Sequence, residues 1–226
     1  MAIKAILFDL DNTLIDFWTF KTKCLDAALK AMMKAGLKIS AKKANDIIWS
    51  IHKKNGMEYK YIFQDFLKRV SGKVDYRILS HGLIAYRKAK SKYLFPYPKV
   101  RDTIKKLGRK YKIAIISDAP KEKAWERIVF MGIDNILDVV VTFDDTKKKK
   151  PSHAPFMAAL KKLRLKPSEV LMVGDSISKD MGGAKALGMK TCLAVYGRKI
   201  KPKENPKDVD FMANRISDLL KIVRKV

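Results

Sequence analysis

Apolar and polar residues along this chain follow two different periods, and the places where one gives way to the other outline its elements. Ile3, Ile6, Leu7, Phe8 and Leu10 form a nearly continuous apolar run leading into Asp9 and Asp11, the pattern of a parallel strand covered on both faces. After Leu14 the period lengthens to three or four residues. Phe17, Phe20, Cys24, Ala28, Met32 and Ala35 make one stripe, with Lys21, Lys23, Lys30 and Lys34 among them and Gly36 as a stop. Ser40 can cap a second helix through Ala44, Ile47, Ile48 and Ile51 to Asn55-Gly56. A third helix is expected from about Glu58 to Gly72, and Asp75 can open a fourth through Ile78, Ile84 and Tyr86 to Leu94. Amphipathic helices with such short connections predict an antiparallel bundle.

Pro96 and Pro98 close the helical stretch, and strands then alternate with helices. Strands are expected at Lys112 to Ile116, Val139 to Val141, Val170 to Val173, Thr191 to Val195 and Asp210 to Met212. Helices are expected at Val100 to Leu107, Lys121 to Met131, Phe156 to Leu163, Lys179 to Leu187 and from Ser217 onward. This alternation implies right-handed βαβ units. The chain reads as an α/β protein: a Rossmann-like parallel sheet core flanked by helices, built from residues 1–14 and 98–226, with an inserted α-helical bundle at 15–97.

Composition adds limits. At 226 residues, 47% hydrophobic and 32% charged, the chain can bury a full core. No apolar run nears the roughly 20 residues that cross a bilayer. The first segment also lacks the pattern of a signal peptide, so a cytoplasmic protein without a membrane partner is expected, as a monomer or homodimer. Cys24 and Cys192, far apart among apolar neighbours, are expected to be reduced core thiols. The 49 Lys and Arg against 23 Asp and Glu give a formal charge of +26, which draws anionic ligands at low salt. By charge alone a non-enzymatic nucleic-acid-binding protein is the competing reading. The excess is spread along the chain, however, which suits a solvated Lys-rich surface and a thermophilic source better than specific nucleic-acid binding.

The chemistry concentrates at strand ends. Asp9 and Asp11, Ser117 and Asp118, and Asp175 with Asp180 each follow an expected strand, and in a parallel sheet those ends share one edge. Converging carboxylates repel one another and call for a cation or shifted pKa values. A hard divalent ion such as Mg²⁺, with substrate phosphate completing its shell, matches this donor set. Simpler roles compete at several positions: Asp118 and Ser176 can be helix caps, Lys147, Lys148 and Lys149 a solvated run, and His153 a loop residue.

Asp9-Leu10-Asp11-Asn12-Thr13, Ser117, Lys150-Pro151 and Gly174-Asp175-Ser176-Ile177-Ser178-Lys179-Asp180 resemble, in order and spacing, the four motifs of the haloacid dehalogenase-like hydrolase superfamily. The resemblance covers the whole chain, and the helical insertion looks like that superfamily's helical cap. It implies a Mg²⁺-dependent phosphatase working through an aspartyl-phosphate on a small phosphorylated metabolite, with phosphomutase or phosphotransferase activity as the alternative. Under the resemblance Asp9 is nucleophile and metal ligand, and Asp11 is acid and base, with its main-chain carbonyl on the metal. Ser117 and Lys150 hold the phosphoryl group, Asp175 binds metal, and Asp180 supports the metal or Lys150. A one-residue slip would put Lys149 in the place of Lys150. Asp118 stands where the pattern favours Asn, near the substrate phosphate, and Trp18 at the cap entrance is a substrate-contact candidate. Members that cleave carbon–halogen bonds lack the acid found here at position 11, so the resemblance points away from dehalogenation. The stretches Gly82-Leu83-Ile84-Ala85-Tyr86 and Lys92-Tyr93-Leu94 are also similar to archaeal proteins assigned as glyceraldehyde 3-phosphate phosphatases, which makes triose phosphate the first substrate to expect, ahead of phosphoglycolate or a sugar phosphate.

Overall fold

Four short buried segments with branched side chains form the middle of a parallel sheet. The structure, a computed structural model, describes residues 2–198 and 207–225. Strand β1 (Ala5–Phe8) is buried at all four positions, as expected for a strand with helices on both faces. After it in the chain come helices α1 (Phe17–Lys34), α2 (Ala41–Asn55), α3 (Ile62–Ser71), α4 (Tyr76–Tyr93) and α5 (Val100–Leu107). The alternating part continues with β2 (Lys112–Ile116), α6 (Lys121–Met131), β3 (Val139–Val141), α7 (Phe143–Thr146) and α8 (His153–Leu163). It ends with β4 (Val170–Gly174), α9 (Gly182–Lys185), β5 (Lys190–Ala194), β6 (Phe211–Ala213) and α10 (Leu219–Ile222). The sheet order is β3-β2-β1-β4-β5-β6, and every pairing is parallel, with Ala5 opposite Lys112 on one side and Val170 on the other.

The chain divides into two compact units, Met1–Phe17 with Phe95–Val226, and Trp18–Leu94. The first holds the sheet. Its core includes Leu7, Ala114, Ile116, Phe156, Leu160, Met172 and Leu193; full burial of a side chain of Leu or Phe size contributes about 1.5–3 kcal/mol. Helix α5 shows how the pattern works: it buries Val100, Thr103, Ile104 and Leu107, one helical face, and stops at Gly108.

The second unit is all helix. Leu25, Ala28, Leu29 and Met32 of α1 share a core with Ala44, Ile48 and Ile51 of α2, Phe66 and Leu67 of α3, and Ile78 and Leu79 of α4. Ser40 caps α2 by accepting from Lys43 N–H, and Asp75 caps α4 by accepting from Ile78 N–H at 3.0 Å. A side chain at Gly82 would overlap Met32, so α4 passes α1 closely at that point.

Several elements differ from the periodicity, and the short helix α7 has no counterpart in it. The helix expected from Glu58 starts at Ile62, because Lys21 Nζ donates to Met57 O at 2.6 Å and Tyr59 Oη to Asp65 Oδ2 at 2.7 Å, ordering the preceding residues as a turn. The helix expected from Phe156 starts at His153, capped by Ser152, so His153 is helical and not a loop residue. The helix expected over Lys179 to Leu187 begins as a wide π turn at Ile177–Met181 and continues as α9. Cys24 and Cys192 are buried and unbridged, and burial pushes their thiols up to about 11 and about 12. Among the described residues no helix is long and apolar enough to cross a membrane.

Candidate active site

The order of the sheet decides where a site can form. From β1 the chain runs outward to β2 and β3, and then returns to place β4 on the other side of β1. The crevice beyond the carboxyl ends of such strands is where open α/β sheets bind ligands. Asp9 follows β1 directly, and its N–H donates to Val173 O at 2.8 Å, extending the β1–β4 ladder into the crevice. Asp175 follows Gly174, the last residue of β4. The π turn then brings Asp180 back underneath: its Oδ2 accepts from Ser176 N–H at 3.0 Å, and a Cβ on Gly174 would collide with its carboxyl group. One carboxylate oxygen from each of Asp9, Asp175 and Asp180 lies within 4.8 Å of the others.

A single lysine ties the cluster together. Lys150, 4% exposed, contacts Asp9 Oδ1 and lies 2.7 Å from Asp180 Oδ1, and it donates to Ile116 O at 3.3 Å. Its loop is anchored by Asp118, whose Oδ1 accepts from Lys150 N–H at 2.9 Å. The peptide bond to Pro151 is cis. Lys149 is outside the cluster, with Nζ 5.6 Å from the centre of the Phe143 ring. Thr13 Oγ1 donates to the other Asp9 oxygen at 3.1 Å.

The charges do not balance. Burial raises the Asp9 carboxyl well above the usual carboxylate range, and Asp180 and Asp175 push it further against the opposing pull of Lys150. Burial and Asp180 together push Asp175 up to about 7. Burial alone would lower the Lys150 ammonium, but Asp180, Asp9 and Asp118 outweigh it and hold the lysine charged. Three hard oxygen donors gathered around one cation, with two of them resisting ionisation, fit a further divalent cation.

The remaining candidates are placed as follows. Ser117 Oγ accepts from Ala119 N–H at 3.2 Å, so its own proton remains to be donated. The Asp118 carboxylate is engaged by Lys150 N–H and lies 3.7 Å from Lys179 Nζ; it does not cap α6, whose N-cap is Pro120. Ser176 is a cap, accepting from Lys179 N–H at 3.2 Å. Asp11 Oδ2 lies 2.8 Å from Arg127 Nη1, outside the carboxylate cluster. Trp18 belongs to the second unit, its ring 6.2 Å from that of Trp49.

The sequence profile of the haloacid dehalogenase-like hydrolases matches residues 6–194. The chain belongs to that family. Over 225 residues it is 36% identical to a glyceraldehyde 3-phosphate phosphatase of Methanocaldococcus jannaschii, covering 99% of this chain and 98% of that protein. A protein of the same name from Pyrococcus furiosus is 31% identical over 225 residues, covering 99% and 94%. A crystal structure of a HAD phosphatase from Thermococcus onnurineus superposes with a TM-score of 0.70 at 25% identity, over 98% of each chain. This member of the haloacid dehalogenase-like hydrolases is accordingly a phosphatase.

Several residues around this hydrolase's acidic cluster escape a motif reading. Arg198 Nη1 donates to Asp175 O at 2.5 Å, and Tyr196 Oη to Thr13 O at 2.9 Å, so the segment after β5 steadies the backbone of both acidic loops. Gly197 lies against the Asn12 carbonyl, where a Cβ would overlap it, and Asn12 itself has φ 62°. Arg127 reaches Asp11 from the middle of α6. Each of these residues is single in sequence, and only the sheet brings it to the acids.

Proposed function

We propose that this chain hydrolyses a small phosphomonoester in two steps at the Asp9 carboxylate, with triose phosphate the first substrate candidate. The observation that carries the reading is Asp9 itself, a buried carboxylate held between Lys150 and Thr13 at the carboxyl end of β1. In the first step an Asp9 oxygen attacks phosphorus, the ester P–O bond breaks, and Asp11 passes its proton to the leaving oxygen. In the second, a water oxygen attacks the same phosphorus while Asp11 takes its proton, the acyl-phosphate P–O bond breaks, and Asp9 and inorganic phosphate are released.

Lys150, held charged, balances the charge of Asp9 and of the transferring group, and the Ser117 hydroxyl donates to a phosphoryl oxygen. Mg²⁺, held by Asp9, Asp175 and the Asp11 carbonyl with Asp180 in support, would supply neutralisation of the phosphate charge when bound. Asp118 acts by holding the Lys150 loop. Selectivity for the organic part of the ester is assigned to the helical insertion, Trp18 included. The names carried by the relatives of Methanocaldococcus jannaschii and Pyrococcus furiosus support glyceraldehyde 3-phosphate as that ester.

The test is a screen of phosphorylated metabolites with Mg²⁺, read as free phosphate. Glyceraldehyde 3-phosphate is expected among the fastest substrates, and Asp9→Asn is expected to abolish release. Full activity in that variant would overturn the mechanism. Isomerised product without free phosphate would make the protein a phosphomutase instead.

A further inference from the structure

We propose that Arg127 is the positioning residue for Asp11, holding the proton carrier at the reacting end of the crevice and out of the carboxylate cluster. The proposal rests on the phosphatase reading above. Helix α6 buries four residues, Ala124, Arg127, Ile128 and Met131, and only Arg127 among them is charged. A guanidinium 4% exposed on an otherwise apolar helix face costs free energy unless a partner of opposite charge meets it. A hydrophobic residue would pack α6 as well without that cost, so the arginine has a use other than packing.

It meets Asp11, with Nη1 to Oδ2 at 2.8 Å, and its guanidinium carbon lies over the Phe17 ring, 4.7 Å from the ring centre. A guanidinium held over a ring and bonded to a carboxylate has little freedom left. The two acids of one short loop are therefore assigned to different cations: Asp9 to Lys150, and Asp11 to Arg127. Without the arginine the Asp11 side chain, which keeps a quarter of its surface exposed, would lose the cation that draws it away from a position beside Lys150 as a fourth acid in the cluster. An Asp11 in that position cannot hand its proton to the leaving oxygen.

The chemistry makes the idea separable from simple structural damage. When the ester P–O bond breaks, an alkoxide needs the Asp11 proton, whereas a nitrophenolate leaves without it. Arg127→Met should slow the first turnover of the best alkyl phosphate found in the screen by about 10–100-fold, the cost of a misplaced catalytic group. Single-turnover release of nitrophenol from p-nitrophenyl phosphate should fall much less. In an Asp11→Asn background, Arg127→Met should change neither rate further. Arg127→Lys, which keeps the charge but not the fork, should show the same selective loss at smaller size, and it carries the comparison if Arg127→Met does not fold. Equal loss on both esters, or a further loss in the Asp11→Asn background, would overturn the proposal. A wild-type protein that releases no phosphate, or an Asp9→Asn variant that does, would overturn the underlying mechanism instead.

Discussion

The close approach of Gly197 to the Asn12 carbonyl puts the tightest steric limit of the site on a residue with no chemistry of its own. A Cβ there must move backbone, because the atoms it meets are the Asn12 carbonyl oxygen and carbon. Asn12 directly follows Asp11 in the loop after β1, so the shift passes to Asp11 and along the loop toward Asp9. Gly197→Ala is expected to lower kcat by about 100-fold, the cost of a displacement near 1 Å at a reacting group. Overpacking should also cost about 1–3 kcal/mol of stability. Steady-state kinetics and thermal melting check the two effects separately. At this scale the acids themselves were legible in the sequence, since an apolar strand running into Asp9 or Asp175 has few explanations. Arg127, Arg198 and Gly197 were not, because an isolated arginine in a helix or a glycine after a strand carries no local signal; their meaning comes from contacts with residues far away in sequence. Lys150 is intermediate: the motif left a choice with Lys149, and burial separates the two.

His52 carries a pH dependence that belongs to the second unit. The ring is buried in α2; its Nδ1 lies 3.1 Å from Gly56 O, and its Nε2 has no hydrogen-bond partner among the described residues. A carbonyl can only accept, so Nδ1 carries the proton and Nε2 is bare. Protonating Nε2 would bury a donor with no acceptor and add a charge near Lys21, and burial accordingly lowers the imidazole below its ordinary value of 6.5. The folded state then binds fewer protons than the unfolded state between the lowered value and 6.5. Stability contributed by neutral His52 is complete above 6.5 and is lost as the pH falls below it. Hydrogen exchange of α2 measured from pH 7 to pH 5 is expected to speed up beyond its intrinsic pH dependence, and His52→Gln should flatten that excess. Among elements, long apolar periods such as those of α5 and α6 were legible because one face decides them. The π turn at Ile177–Met181 was not: it carries Asp180 both to the N–H of Ser176 and to Lys150, thirty residues away in sequence, and that second contact is a tertiary demand with no local signal.

For the whole molecule, the open question of charge has a physical answer at the sheet edge. The protein carries +26 overall, yet its crevice gathers three carboxylates whose repulsion one lysine does not cancel. A cation that binds there only in the folded state must stabilise the fold by mass action. At a hundred times its Kd the gain is about 2.7 kcal/mol, and each kcal/mol is worth about 2–4 °C in a chain of this size. Mg²⁺ is therefore expected to raise the melting temperature of the wild type by several degrees, a chelator to reverse it, and Asp175→Asn to remove the response. An unchanged melting temperature in saturating Mg²⁺ would count against a metal at these acids.

The sheet order also sets a timetable for synthesis. The strand that delivers Asp9 is the first to be made, but its neighbours are not: Ala5 pairs with Lys112 on one side and with Val170 on the other. While the ribosome works toward those partners, the whole of Trp18–Leu94 emerges with its own core already encoded in sequence. That segment can condense as soon as it appears, since domains generally fold as units during elongation. The nascent β1 must wait with both edges bare until β2 is out and with one edge bare until β4 is out, so Asp9 is among the first residues polymerised and among the last to reach its place.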